Sequence, residues 1–152
     1  MTSDKPITDE TQNAFLVVDD EKDLREIISD YLATKGSPCL RAESGNAAYK
    51  LIEERGRLDG NPRIRSIVAD WKMPDGDGME LLREIRTGPF QSIPVLLISG
   101  AASKEQLLLA AQAGPDAILL KPFDMGLLYQ KVLEAEKVRE TKEFDRLMKH
   151  GR

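Results

Sequence analysis

The sequence predicts an α/β fold: a five-stranded parallel sheet, doubly wound, with helices on both faces. Two observations carry that expectation. Short apolar runs and helical patterns alternate five times along the chain. The runs are continuous, as strands covered on both faces must be, and do not alternate apolar with polar.

The elements follow in order. Residues 1–12, MTSDKPITDETQ, are polar and without apolar period, and read as a loose leader ending at residue 13. AFLVV at 14–18 is the first strand, stopped by Asp19, Asp20 and Glu21. The next segment places Leu24, Ile27, Ile28, Tyr31 and Leu32 at helical spacing and stops at Gly36. SPCLRA at 37–42 is a weak, edge-like strand, after which Ser44 caps a helix with Ala47, Ala48, Leu51 and Ile52 on one side. Two glycines, a proline and an asparagine make 54–63 a loop before the strand IRSIVAD. A short helix at 78–86 turns Met79, Leu82 and Ile85 inward, and TGPFQ breaks it. PVLLIS is the fourth strand, and Ser103 with Gln106 forms a capping box for the helix that follows. AILLK is the fifth. Lys121 and Pro122 end it, and Asp124 caps a last helix with Leu127, Leu128, Val132, Ala135 and Val138 inward.

Composition limits the function classes. The chain has 152 residues, 41% hydrophobic and 32% charged, enough for one compact domain and a tail. A net charge of −4 supplies no basic face for nucleic acid, and the apolar runs fall short of the roughly 20 residues of a membrane-spanning helix. No signal-peptide pattern opens the chain, and the single cysteine, Cys39, has no internal partner, so a cytoplasmic protein with Cys39 as a small buried hydrophobe is expected.

In an open parallel sheet, ligands bind outside the carboxyl ends of the strands. Asp19 and Asp20 end the first strand, Asp70 the third, Ser99 the fourth and Lys121 the fifth. Three converging carboxylates repel one another unless a cation sits among them, and Mg²⁺ is the hard oxygen-seeking ion that suits them. Lys121 and Ser99 then face the remaining space with one positive charge and one hydroxyl. That arrangement suits an incoming phosphoryl group and makes Asp70 a nucleophile able to form an acyl phosphate. Pro74, Gly76 and Gly78 let the chain turn sharply behind it. Asp75 and Asp77 read as turn formers in that loop.

FLVVDDE, IVADWKMPDGDG, PVLLISG and AILLKPF, in this order and spacing, resemble the receiver domain of two-component response regulators. The resemblance runs from about Ala14 to Val138. It implies a flavodoxin-like fold, a receiver domain over 14–138 and a helical extension or tail over 139–152. By that resemblance Asp70 is the phosphoacceptor and a metal ligand, Asp20 a direct Mg²⁺ ligand, Asp19 an acidic partner acting through water, and the Lys72 carbonyl the remaining protein ligand. Lys121 contacts the phosphoryl group, Ser99 takes the place of the switch hydroxyl, and the Lys121–Pro122 bond is cis. The implied donor is a sensor histidine kinase or a histidine phosphotransfer protein. The output is a change in a protein-binding surface, not turnover of an external substrate.

The sequence departs from the family in four places. Ile118 stands where an inward-turning aromatic is frequent, and Pro115 where an alanine is common. Lys72 and Ala101, two residues after Asp70 and Ser99, carry no carboxylate or carboxamide to orient an attacking water, so slow self-dephosphorylation is expected. Lys72 also argues against a phosphohydrolase of the haloacid dehalogenase type, which needs a second Asp there. A scaffold that has lost phosphorylation would not retain all these chemical residues, and no glycine-rich phosphate loop follows the first strand. The charged tail bears Phe144, Leu147 and Met148. It reads as a solvated extension of the last helix. The alternative is a helix that packs on a downstream protein, on an output domain outside this chain, or on a second copy in a homodimer. His150, the only histidine, has no second ligand and no assigned role.

Overall fold

The computed structural model describes residues 12–100 and 103–150, with the side chain of residue 150 excepted. The elements are β1 (Ala14–Val18), α1 (Lys22–Ala33), β2 (Cys39–Ala42), α2 (Gly45–Arg55), β3 (Ile64–Asp70), α3 (Gly78–Thr87), β4 (Val95–Ser99), α4 (Lys104–Gln112), β5 (Ala117–Leu120) and α5 (Met125–His150). The five strands form one sheet in the order β2-β1-β3-β4-β5, every neighbouring pair parallel. Strand order reverses beside β1, which has β2 on one side and β3 on the other, so the crevice for a ligand opens at the ends of β1 and β3. The weak strand at 37–42 is indeed an edge strand, β2. The leader expected at 1–13 lies almost wholly outside the described residues.

Side-chain alternation divides the core in two. Phe15, Val17, Val68, Leu96, Ile98 and Leu119 pack on one face against Ile28 and Leu32 of α1 and Leu128, Val132 and Ala135 of α5. Leu16, Val18, Ile67, Ala69 and Val95 pack on the other against Ala48 and Ile52 of α2 and Leu81, Leu82 and Ile85 of α3. Each of the Val, Leu, Ile and Phe side chains among these contributes about 1.5–3 kcal/mol through removal from water. Cys39 is buried among the apolar residues of the first face, where burial raises its thiol pKa to about 11 and leaves it a hydrophobe at neutral pH.

The caps sit where the sequence puts them. Ser44 accepts from the Ala47 N–H, Ser103 and Gln106 form the capping box of α4, and Asp124 accepts from the Leu127 N–H at 2.7 Å. Three residues expected inside are not. Ile27 is 54% exposed, because the inward stripe of α1 runs through Leu24, Ile28, Tyr31 and Leu32, and Ile27 lies on the adjacent row. Ala47 is exposed, since α2 buries the 45, 48, 52 and 55 positions. Leu127 is 39% exposed beside fully buried Leu128. Helix α5 continues unbroken through residue 150 and leaves Phe144, Leu147 and Met148 more than half exposed. Among the described residues no helix is long and apolar enough to cross a membrane.

Candidate functional site

The topology brings the singled-out groups to one edge of the sheet. Asp70 is the last residue of β3 and Ser99 the last of β4. Asp19 and Asp20 follow β1, and Lys121 follows β5. Because β3 lies between β1 and β4, Asp70 is flanked by the acidic pair and by the Ser99 strand. Main-chain bonds fix these ends: Asp19 N–H donates to the Ala42 carbonyl (3.1 Å), Trp71 N–H to Ile98 (2.8 Å) and Lys121 N–H to Ser99 (2.9 Å). The loop after β3 closes back on the strand, with the Gly78 N–H donating to the Trp71 carbonyl at 2.9 Å. A Cβ at Gly78 would overlap the Asp70 carbonyl oxygen, so only glycine permits this return.

Carboxylate oxygens of Asp19, Asp20 and Asp70 lie within 4.8 Å of one another. Asp19 and Asp70 are buried, 2% and 8% exposed, and Asp20 opens to solvent. One Asp19 oxygen accepts from the Glu21 N–H at 2.8 Å. The other, Oδ2, is buried without a hydrogen-bond partner. Burial raises the Asp19 pKa from the usual 3.8 to about 6; the Glu21 N–H opposes the shift and the Asp70 charge adds to it. Asp70 is also raised, chiefly by burial, with Lys121 drawing it back. The Lys121 Nζ lies 3.4 Å from Asp70 Oδ2. An orphaned buried oxygen on one of three clustered carboxylates is unfavourable for the protein alone. A cation would relieve it, and an all-oxygen donor set with one solvent-open side fits Mg²⁺.

The other singled-out residues fall as follows. Ser99 is 2% exposed at the end of β4. Lys72 is exposed, its Nζ 5.2 Å from the centroid of the Trp71 ring. The Lys121–Pro122 peptide is cis, as the resemblance implies. Ile118 packs, half-buried, on the cluster of Trp71, Met79, Leu97 and Ala110, an aliphatic side chain at the position where the family frequently carries an aromatic. Ala101 lies outside the described residues. Asp77 is more than a turn former: with Glu80 it makes the capping box of α3. That Asp-x-x-Glu spacing is legible in the sequence. Arg25, which the sequence did not single out, donates from Nη1 to the Asp19 carbonyl at 2.8 Å and braces the end of β1.

A parallel sheet carrying three carboxylates, a lysine and a hydroxyl at one edge has the donor set that suits a divalent cation and a phosphoryl group. The chain belongs to the response regulator receiver domain family, whose model matches residues 15–133. Receiver domains are signalling domains phosphorylated on aspartate, and they bind Mg²⁺ at an acidic site. Over 119 residues the chain is 32% identical to the chemotaxis protein CheY1 of Helicobacter pylori, covering 77% of this chain and 91% of that one. It is 29% identical over 119 residues to a CheY homolog of Campylobacter jejuni, covering 77% and 87%. Among solved structures, the receiver domain of the Francisella response regulator 1452 superposes with a TM-score of 0.67 at 27% identity, covering 86% of this chain and 99% of that one. A receiver domain from Clostridium thermocellum gives 0.70 at 25%, covering 86% and 97%.

Proposed function

We propose that this chain is a phosphorylation-controlled switch in which Asp70 accepts a phosphoryl group from the phosphohistidine of a sensor kinase or phosphotransfer protein. The observation that carries the reading is the position of the Asp70 carboxylate, with the Lys121 Nζ at 3.4 Å on one side and the acidic pair on the other. An Asp70 oxygen attacks phosphorus in line. The O–P bond forms as the P–N bond breaks, and the electron pair leaves with the imidazole, which takes up a proton. Asp20 and Asp70 directly, Asp19 through water and the Lys72 carbonyl would hold Mg²⁺, which when bound neutralises phosphoryl charge. Lys121 exchanges its pairing with Asp70 for one with a phosphoryl oxygen, and the Ser99 hydroxyl follows that group and moves the next loop. The message leaves through a changed protein-binding surface in the cytoplasm. No external substrate is turned over.

Incubation with a small-molecule acyl phosphate and Mg²⁺ is expected to raise the intact mass by about 80 Da, one phosphoryl group. The gain is absent in Asp70→Asn and with a chelator; equal labelling of Asp70→Asn would contradict the assignment. Lys72, laid over Trp71, offers no group to orient water. The acyl phosphate is therefore expected to persist for minutes or longer after donor removal, followed by mass against time. Decay within seconds would contradict that expectation.

A further inference from the structure

Asp75, at the tip of the loop between β3 and α3, is tied to α2 and not to the acidic pocket. Its carboxylate accepts from Ser44 Oγ at 3.2 Å and from Asn46 Nδ2 at 2.9 Å. The backbones join as well: Gly45 N–H donates to the Gly76 carbonyl at 2.6 Å and Asn46 N–H to the Asp75 carbonyl at 3.4 Å. A Cβ on Gly45 would stand 2.6 Å from the Gly76 oxygen, and one on Gly76 would stand 2.9 Å from Asn46 N. The approach is thus closer than residues with side chains allow. Asp75 itself takes φ 58°, a left-handed conformation that a non-glycine residue keeps only when its surroundings hold it. Ser44 serves both partners, since its Oγ also accepts from the Ala47 N–H at 3.1 Å and caps α2.

The loop is therefore anchored at two places. Its ends are closed on the strand by the Trp71–Ile98 and Gly78–Trp71 bonds, and its tip is latched to α2. Lys72, Met73 and Pro74 span the interval, with Met73 buried in the core beneath them. On the function proposed above, the Lys72 carbonyl is a ligand to the cation.

We infer that Asp75 is a positioning residue for Mg²⁺: its latch to Ser44 and Asn46 holds the β3–α3 loop so that the Lys72 carbonyl is already placed when the ion arrives. The latch spares the cation the work of ordering that segment. It works through the loop and not by contact, since Asp75 is not among the carboxylates of the cluster.

The test is a Mg²⁺ titration of the full, unphosphorylated chain, read by the fluorescence of Trp71, the chain's only tryptophan and the neighbour of Asp70. Asp75→Ala is expected to weaken Mg²⁺ binding roughly tenfold, the lower end for groups that orient metal ligands. Asn46→Ala weakens it in the same direction, and the double variant is no weaker than the worse single, because both remove one latch. Asp75→Asn stays within about threefold of wild type, since Asn keeps an acceptor and tolerates the left-handed φ. A remote core variant, Ile52→Val, controls for lost stability and leaves the Mg²⁺ affinity unchanged. The latch is overturned if Asp75→Ala binds within about twofold of wild type, given that outer-shell losses start near tenfold. It is equally overturned if Ile52→Val loses as much, or if Asp75→Asn is as weak as Asp75→Ala, which would make charge the cause. A wild-type chain that binds no Mg²⁺ overturns the proposed site and the latch with it.

Discussion

Asp116→Ala is expected to lower the stability of the protein by about 3–5 kcal/mol, the cost of removing one partner of a buried ion pair and leaving the other's charge uncompensated. The Asp116 side chain is fully buried just before β5 and accepts from three elements at once. Arg86 Nη2 of α3 donates at 2.6 Å, Arg139 Nε of α5 at 3.0 Å, and the Val95 N–H at the start of β4 at 2.9 Å. Arg86 also donates to the Gly114, Gln91 and Ile93 carbonyls, and Arg139 to Gln91. Burial already lowers the Arg86 pKa, and Asp116 is the chief group opposing that shift. Removing Asp116 leaves Arg86, 14% exposed, without its ion-pair partner beside Arg139, 10% exposed, which keeps Glu143 at 3.2 Å. Urea unfolding measures the effect without added salt screening. Asp116→Asn, which keeps the acceptor but not the charge, falls between the two. A loss below about 1 kcal/mol for Asp116→Ala, ordinary for a surface site, would contradict the account of this hub.

Asp19→Asn is expected to act in the opposite direction. In the metal-free protein at pH 7 it stabilises by roughly 1–3 kcal/mol, the value of a shift of about two pKa units. The folded-state pKa of Asp19 is raised, so the native protein binds this proton more tightly than the unfolded chain does. Stability from this group therefore grows as pH falls through about 6 toward 3.8, and is lost as pH rises through that window. At neutral pH the ionised, half-orphaned carboxylate is a cost. The amide removes that cost and can still accept from the Glu21 N–H. The advantage vanishes near pH 4, where wild-type Asp19 is itself protonated. Mg²⁺ inverts the order at pH 7: it stabilises wild type by binding the native state alone and does so less for the variant. Melting with and without Mg²⁺ at pH 4 and 7 checks all four arms, and a variant less stable than wild type in metal-free buffer at pH 7 would contradict the burial argument.

The two sites differ in how far the sequence discloses them. The strand-end carboxylates are legible because a parallel sheet turns sequence position into spatial position: any residue that ends a buried run lies on the same edge. Asp19, Asp20, Asp70, Ser99 and Lys121 are all found this way. Helix caps are legible for a similar reason, being local, and Ser44, Ser103 and Asp124 follow from spacing alone. The exposure of Ile27, Ala47 and Leu127 is not legible, because an apolar residue beside the inward stripe looks the same in sequence as one within it. The Asp116 hub and the Asp75 latch were hidden for another reason. Their partners stand 21 to 31 positions away, and no local periodicity joins an aspartate before β5 to arginines on α3 and α5. Arg25 bracing the Asp19 carbonyl across six residues is a shorter case of the same kind.

On the proposed function Asp70, of all the carboxylates at this edge, receives the phosphoryl group. Borohydride reduction of the phosphorylated chain converts an aspartyl phosphate to homoserine, and peptide sequencing by mass then reads its position. Homoserine at position 70 and at no other aspartate is the expected result. Homoserine at Asp19 or Asp20, or none in a chain that has gained the phosphoryl mass, would contradict it.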